Sequence, residues 1–355
     1  MGPKSMSTAP QGLRMRISKS RLSMVIAFLV FSLMLPRLHA QSGIEPYDIE
    51  RAGLSGWQFL KIHGDARLAS MAGAYTATSH GDAGAIFGNP SALVDVQNLG
   101  VNFTNFTWIA DIGYMSVTIA KRLGSMGVVG LSVTSVDMGE MDETINSPVA
   151  GENRTDVIIT GKTFTAGDIA AGLSYAKRVT DRLALGGNIR WIQETIADVS
   201  MTNFSVDFGT TYYTGFKSLR LAMVARNFGP DQHLVGWSEK YQAEAVDIRM
   251  PLDFRVGMAM DFLGGETSPH LLTLSVEGTH PNDGPEKIHV GTEYWYNNML
   301  AIRSGYRANY DEEDITLGGG LRYSISGLML RVDYGYIAFG RLGQVHMFTL
   351  GASFE

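Results

Sequence analysis

From about Asn98 to Phe354 the chain alternates apolar and polar side chains in short runs separated by turn residues. We read roughly 14 such runs of about 9–11 residues, the length a tilted strand needs to cross a bilayer. Successive side chains of a strand point to opposite faces, so alternation marks a ribbon with one apolar and one polar face. Met115, Val117 and Ile119 share a face, as do Val129, Leu131 and Val133. Leu183, Leu185, Ile189 and Trp191 oppose Asn188 and Arg190. Leu219, Leu221 and Met223 oppose Arg220 and Arg226, and Phe254, Val256, Met258 and Met260 oppose Arg255 and Asp261. Leu272, Leu274 and Val276 oppose Glu277; Leu328, Leu330 and Val332 oppose Arg331 and Asp333. Phe348, Leu350, Ala352 and Phe354 make the last apolar face.

Alternation alone also fits a water-soluble sandwich, whose charged face would meet solvent. Two further features favour a membrane barrel. Aromatic residues gather near the ends of runs, among them Trp108, Tyr175, Tyr212, Tyr213, Tyr294, Tyr296, Tyr334 and Tyr336, as interfacial girdles do. The connections also alternate. Those at 123–126, 179–181, 213–217, 263–269, 297–298 and 325–326 are tight; those at 136–166 and 228–252 are long, with 279–286 and 308–314 as shorter members. Short turns on one rim and long loops on the other are the asymmetry of outer-membrane barrels. The prediction is an all-β chain, a transmembrane antiparallel barrel of about 14 strands over residues 98–355. Its lumen would be lined by Arg190, Asp207, Arg220, Arg255, Glu277, Glu293, Arg303, Arg331 and Asp333, joined by Arg226, Arg307 and Arg322. Both signs are present, so these side chains can pair across the interior. The long loops would face outside, where Asp137 and Met141 in one, and Trp237 and Tyr241 in the other, could anchor a protein partner.

Residues 41–97 lack the strand rhythm. Their text is small, as in Ala69-Ser70-Met71-Ala72-Gly73-Ala74 and Gly81-Asp82-Ala83-Gly84-Ala85, and small residues let backbones approach closely. We read this segment as a plug or hatch inside or beneath the barrel mouth, with Phe87, Asn89, Pro90, Ser91 and Leu93 at its heart. Asn89-Pro90 is a turn signal, and a short helix is expected from about Ser91. Residues 1–40 read as a secretory signal. Arg14, Arg16, Lys19 and Arg21 are its basic region, Met24 to Leu35 its apolar core, and Leu38-His39-Ala40 its cleavage site.

Composition changes this picture only at the edges. The 41 glycines suit many turns and close inter-strand contacts, and mean hydropathy near zero is ordinary for a barrel that shows lipid only every second residue. Losing the signal removes Lys4, Arg14, Arg16, Lys19, Arg21 and Arg37 from 29 basic residues, leaving 23 against 35 acidic ones, a formal charge of −12. Such a chain is a poor nucleic-acid binder. The absence of cysteine removes thiolate metal sites and cysteine nucleophiles.

The residues also carry a resemblance. Trp57-Gln58-Phe59-Leu60-Lys61-Ile62, then Gly64-Asp65-Ala66-Arg67 and Met71-Ala72-Gly73-Ala74-Tyr75-Thr76-Ala77, is similar to the N-terminal signature of the PorV/PorQ family of outer-membrane proteins. Asn89-Pro90-Ser91-Ala92-Leu93, Asp207-Phe208-Gly209, Arg226-Asn227-Phe228-Gly229, Gly291-Thr292-Glu293-Tyr294-Trp295 and Arg303-Ser304-Gly305-Tyr306-Arg307 follow in the family's order. The series covers nearly all of 41–355. The family's usual Asn-Pro-Ala-Gly turn is here Asn89-Pro90-Ser91-Ala92, and the chain ends Phe354-Glu355 rather than on the aromatic. The resemblance implies a FadL-like barrel with an N-terminal hatch, in contact with outer-membrane lipid. It also implies a non-enzymatic role in type IX secretion, binding secreted or surface-attached proteins. The competing expectation is a FadL-like channel for hydrophobic small molecules, with residues 87–93 as its gate.

Candidate chemistry is sparse. Asp311-Glu312-Glu313-Asp314 could offer calcium its carboxylates, but a solvated loop tip is the favoured account of the run. His289 and Glu293 share a strand face, but one histidine is a thin metal site. No Gly-x-Ser-x-Gly elbow, His-Glu-x-x-His pair or phosphate-cradling glycine motif occurs. We therefore expect no catalytic residue, no cofactor and no metal.

Overall fold

The computed structural model of the chain describes residues 55–78, 81–148, 155–233, 237–238, 243–244, 247–263 and 268–354. The signal reading at 1–40, the first part of the plug at 41–54, and Tyr241 lie outside the described residues.

Fourteen strands close on themselves. In chain order they are β1 Leu99–Thr107, β2 Gly113–Arg122, β3 Val128–Pro148, β4 Thr155–Thr180, β5 Leu183–Ile196, β6 Val199–Tyr213 and β7 Arg220–Phe228. After four two-residue strands, β8 Gln232–His233, β9 Trp237–Ser238, β10 Ala243–Glu244 and β11 Asp247–Ile248, come β12 Asp253–Asp261, β13 His270–Pro281, β14 Lys287–Tyr296 and β15 Leu300–Ala308. The wall ends with β16 Ile315–Ile325, β17 Leu328–Ala338 and β18 Gln344–Phe354. Every neighbouring pair is antiparallel, β7 pairs directly with β12, and β18 returns to β1 with Leu99 opposite Phe354. That last pairing separates the barrel from a sandwich, because it leaves no wall edge unpaired.

The outer face shows why the alternation exists. Leu131 (54% exposed), Leu173 (55%), Ile189 (56%), Ile302 (60%) and Leu350 (53%) stand on it, around the whole circumference. A continuous band of large apolar side chains is stable in lipid and not in water. The inner face is polar, with Asn102, Thr118, Ser174, Asn188 and Thr349 all buried.

One rim carries the turns after β2, β4, β6, β13's predecessor β12, β14 and β16, together with the start of β1 and the end of β18. We name it the tight-turn rim and its opposite the long-loop rim. The structure corrects one expectation about the latter. Residues 136–166, read as a long loop, are mostly strand: β3 and β4 run on as a hairpin, pairing from Glu140–Thr165 to Pro148–Thr155. Asp137 and Met141 therefore sit on β3, not in a loop. Pairing of β2 stops at Asp137 and that of β5 at Ala166, so the hairpin beyond them has both edges open. Eleven residues of β3, 138–148, span roughly 35 Å at about 3.3 Å each. Beyond the lipid no apolar face is required, so the alternation fades there although the strand continues.

Residues 55–97 fill the lumen as short helical turns. Ser55 bridges to Arg249 near the long-loop rim, and the segment descends to β1 at the tight-turn rim. An aspartate or asparagine starts each inner turn. Asp65 accepts from Arg67 N and Leu68 N before Ala66–Ser70, Asp82 accepts from Gly84 N before Ala83–Phe87, and Asn89 accepts from Ser91 N before Pro90–Asp95. Wall glycines make room for the plug. Gly186 faces Gly209, Gly291 faces Gly305 and Gly318 faces Gly335 across neighbouring strands. A Cβ on Gly305 would stand 2.5 Å from Ala72 N, and one on Gly335 would stand 2.8 Å from Ala66 O. Much of the chain's glycine content is thus explained by plug contact as well as by turns. Below, Ile86, Leu93, Val94 and Val96 pack against Val128, Ala120, Ala176 and Ala184 of the wall. Fully burying such a side chain contributes about 1.5–3 kcal/mol.

Candidate functional site: a sealed lumen beneath a rim cavity

The lumen holds an alternating chain of buried charges that joins plug to wall. Arg67 of the plug makes two hydrogen bonds to Glu293, Nε to Oε2 and Nη2 to Oε1, each 2.7 Å. Arg303 donates to Glu293 Oε2 at 2.6 Å and to Asp333 Oδ1 at 2.7 Å. Arg331 pairs with Asp333 at 2.6 Å, with Asp82, and with Asp65 at 3.6 Å. Asn102 donates to both plug aspartates at 3.2 Å. The N-capping aspartates therefore do double service, because each also meets a wall guanidinium.

Further stitches surround this chain. Arg190 and Asn188 hold Asp207, at 2.6 and 3.1 Å. Arg255 lies between Asp253 (2.6 Å) and Glu277 (3.0 Å), and Glu277 accepts from Thr76 N of the plug. Arg220 pairs with Asp261 at 2.8 Å and donates to Ala77 O; Arg226 donates to Leu60 O; Arg307 donates to Ala72 O and pairs with Glu313. Asn89 reaches Thr76 O and Thr211 Oγ1, and Ser91 Oγ lies 2.8 Å from Thr211 Oγ1. Leu93 and Pro90 are buried, and the Phe87 ring lies against Gly64.

The structure thus places Arg190, Asp207, Arg220, Arg255, Glu277, Glu293, Arg303, Arg331 and Asp333 on the inner face, all of them in ion pairs. Reading the sequence missed Arg67, Asp65 and Asp82 as members of the same network. Their signal was present as an Asp just before each run of small residues, the mark of a helix N-cap. His289 and Glu293 do not join in a metal site: His289 Nε2 lies 3.0 Å from Tyr310 Oη, and Glu293 is taken by two arginines. In the acidic run, Glu312 pairs with Arg341 and Glu313 with Arg307.

Above the plug, at the long-loop rim, lies a cavity of about 700 Å³. Its apolar side is formed by Trp57, Phe59 and Ile62 of the plug and by Trp108, Ile112 and Phe339 of the wall. Trp108 stands edge-on to Phe339, centroids 4.8 Å apart. Trp57 is buried in the left-handed region (φ 49), a costly conformation for a bulky residue, held by the packing around it. The polar side includes Lys61 and Asp283. Lys61 Nζ lies 2.5 Å from Asp283, which also accepts from Gln58 at 2.9 Å. Burial alone would push the Asp283 carboxyl up, but the hydrogen bonds from Lys61 and Gln58 win and hold it below the usual carboxylate range. Of the two remaining loop residues singled out from the sequence, Trp237 lies on β9, opposite Glu244 of β10.

No protein-family profile matches the chain, and no curated protein sequence does. Solved structures do. The toluene transporter TbuX of Ralstonia pickettii aligns over 82% of this chain and 98% of its own, with a TM-score of 0.54 at 13% identity. The toluene transporter TodX of Pseudomonas putida aligns over 82% and 98%, with 0.53 at 11%. A FadL homologue of Pseudomonas aeruginosa aligns over the same shares at 0.49 and 12%, too distant to carry weight by itself. At these identities the likeness is one of fold, which in this chain is a closed 14-stranded antiparallel transmembrane barrel.

Proposed function

We propose that this chain is a non-enzymatic outer-membrane barrel that admits hydrophobic small molecules to the rim cavity, over a plug that seals the lumen. The carrying observation is the cavity itself, about 700 Å³ with Trp57, Trp108, Ile112 and Phe339 on one side. Its size falls in the range of small-molecule sites, which are mostly apolar with a few fixed polar groups. The fold shared with two toluene transporters supports the same reading. Residues 1–40 direct export, 41–97 form the plug and 98–355 the membrane wall. Toluene titrated into the purified, detergent-held protein should quench tryptophan fluorescence saturably. Phe339→Arg, which fills the cavity with a charge, should abolish the quench. Absence of saturable binding to the unaltered protein overturns the reading.

A second reading rests on a separate observation. The free hairpin of β3 and β4 exposes Ile145 (51%), Val157 (67%), Ile158 (47%) and Ile159 (62%), with both edges unpaired. Open edges and exposed aliphatic side chains suit a protein partner that adds a strand. That is the role the PorV/PorQ resemblance implies: a type IX secretion-like component that holds secreted or surface-attached proteins. Removing 139–161 should abolish capture of such a partner and leave toluene binding intact. Capture that survives the deletion removes this reading.

A further inference from the structure

We infer that the rim cavity is selective for hydrophobic molecules bearing an ammonium group, held by Asp168 and Glu194; the inference deepens the small-molecule reading and rests on it. Asp168 of β4 and Glu194 of β5 stand directly opposite each other and both line the cavity. Like charges in that position repel. Eight carboxylate residues of the described structure are buried, and seven have an Arg within 4.0 Å: Asp65, Asp82, Asp207, Asp253, Glu277, Glu293 and Asp333. Asp168, 6% exposed, is the eighth, and no ion pair reaches it. Its Oδ1 and the Oε2 of Glu194 are buried without a hydrogen-bond partner.

The cations that line the cavity are engaged elsewhere, Lys61 by Asp283, Arg255 by Asp253 and Glu277, Arg307 by Glu313 and Lys287 over the Tyr310 ring, and none makes an ion pair with Asp168. Across the sheet the row through the pair reads Val136, Asp168, Glu194, Met201. Along the strands the next inward positions are Ala170 and Ile192, and the nearest guanidinium on these strands, Arg190, is committed to Asp207 and Asn227. A buried carboxylate without a partner is costly in its ionised form, and a bound cation would relieve that cost.

An occupant that completes the pair brings hydrogen-bond donors for two carboxylates among aromatic walls. An ammonium on an apolar body does so, and Trp57 and Trp108 line the same cavity. Among the described residues no group of three or more acidic or histidine side chains gathers there to hold a metal ion.

The test uses the full mature protein in maltoside detergent, titrated by calorimetry with hexylammonium, hexanol and hexanoate. Charge-assisted hydrogen bonds are roughly twice as strong as neutral ones, so hexylammonium should bind at least about tenfold more tightly than hexanol, with hexanoate weakest. Asp168→Asn/Glu194→Gln should reduce hexylammonium to the affinity of hexanol and leave hexanol unchanged, which also reports an intact cavity. Glu194→Gln alone, at a half-buried position, should remove part of the preference should the double variant fold poorly. Equal binding of ammonium and alcohol by the native protein overturns the inference while leaving the small-molecule reading intact, as does a preference that survives the double variant. Failure of all three probes to bind removes both.

Discussion

The plugged lumen and the rim cavity are built from the same strands and pair most of their charges, yet they differ at one buried acid. In the lumen each acidic side chain meets a guanidinium, and the pairs run from plug to wall without a gap, Asp82–Arg331–Asp333–Arg303–Glu293–Arg67. In the cavity one wall is aromatic, and Asp168 is left without a partner. On the proposed reading the contrast is that between a seal, where matched charges fix a segment in place, and a receptor, where an unmatched charge in a roomy apolar setting takes an occupant.

The largest effect should come from unmatching the seal. Glu293→Ala leaves the guanidinium groups of Arg67 and Arg303 short of their shared partner. Stripping one member from a buried ionic network costs about 3–5 kcal/mol, which heat-dependent mobility in gel electrophoresis would register as a lowered unfolding temperature. Next comes a steric break. Gly305→Val places a side chain where Ala72 of the plug now sits, and overpacking of this kind costs about 1–3 kcal/mol. Liposomes carrying that variant should swell in sugar solution faster than those carrying the unaltered protein. An unchanged swelling rate would mean that the plug yields without opening a path.

The smallest effect belongs to Asp283, held by Lys61 and Gln58 at the cavity edge. Because the folded Asp283 carboxyl is held low, its contribution is present above its unfolded value of about 3.9 and is lost as pH falls through the lower folded value. Hydrogen exchange at 58–61 should therefore stay constant from neutral pH down to about 4 and rise only below it. In Asp283→Asn it should be fast at every pH. Exposed or part-exposed pairs contribute about 0–1 kcal/mol, so global stability should hardly move.

The difference between what the residues announced and what they concealed is physical. The wall was legible because lipid demands an apolar side chain at every second position, as from Leu328 to Val332, and the inward arginines were legible as the other half of that alternation. The short turn beginning at Asn89-Pro90 was legible from local chemistry. The extension of β3 and β4 was not, since a ribbon outside the membrane has no face to keep apolar, and bulges between Asp137 and Glu140 and between Asp142 and Thr144 break the rhythm further. Asp65 and Asp82 were hidden because their partner, Arg331, lies about 250 residues away and is reached only after the barrel closes. The lonely state of Asp168 depends on which residues β3, β5 and β6 bring beside it, and register is not written in any one strand.

The division into a fixed seal and a separate receptor is tested most directly by locking the plug. The chain has no cysteine, and a Cβ on Gly100 would lie 3.7 Å from that of Ala83, a spacing suited to a disulfide. With Ala83→Cys/Gly100→Cys oxidised, toluene should bind with the same affinity as in the reduced protein. Loss of binding on oxidation would mean that the plug must move to admit the ligand, and the division between seal and receptor would fail.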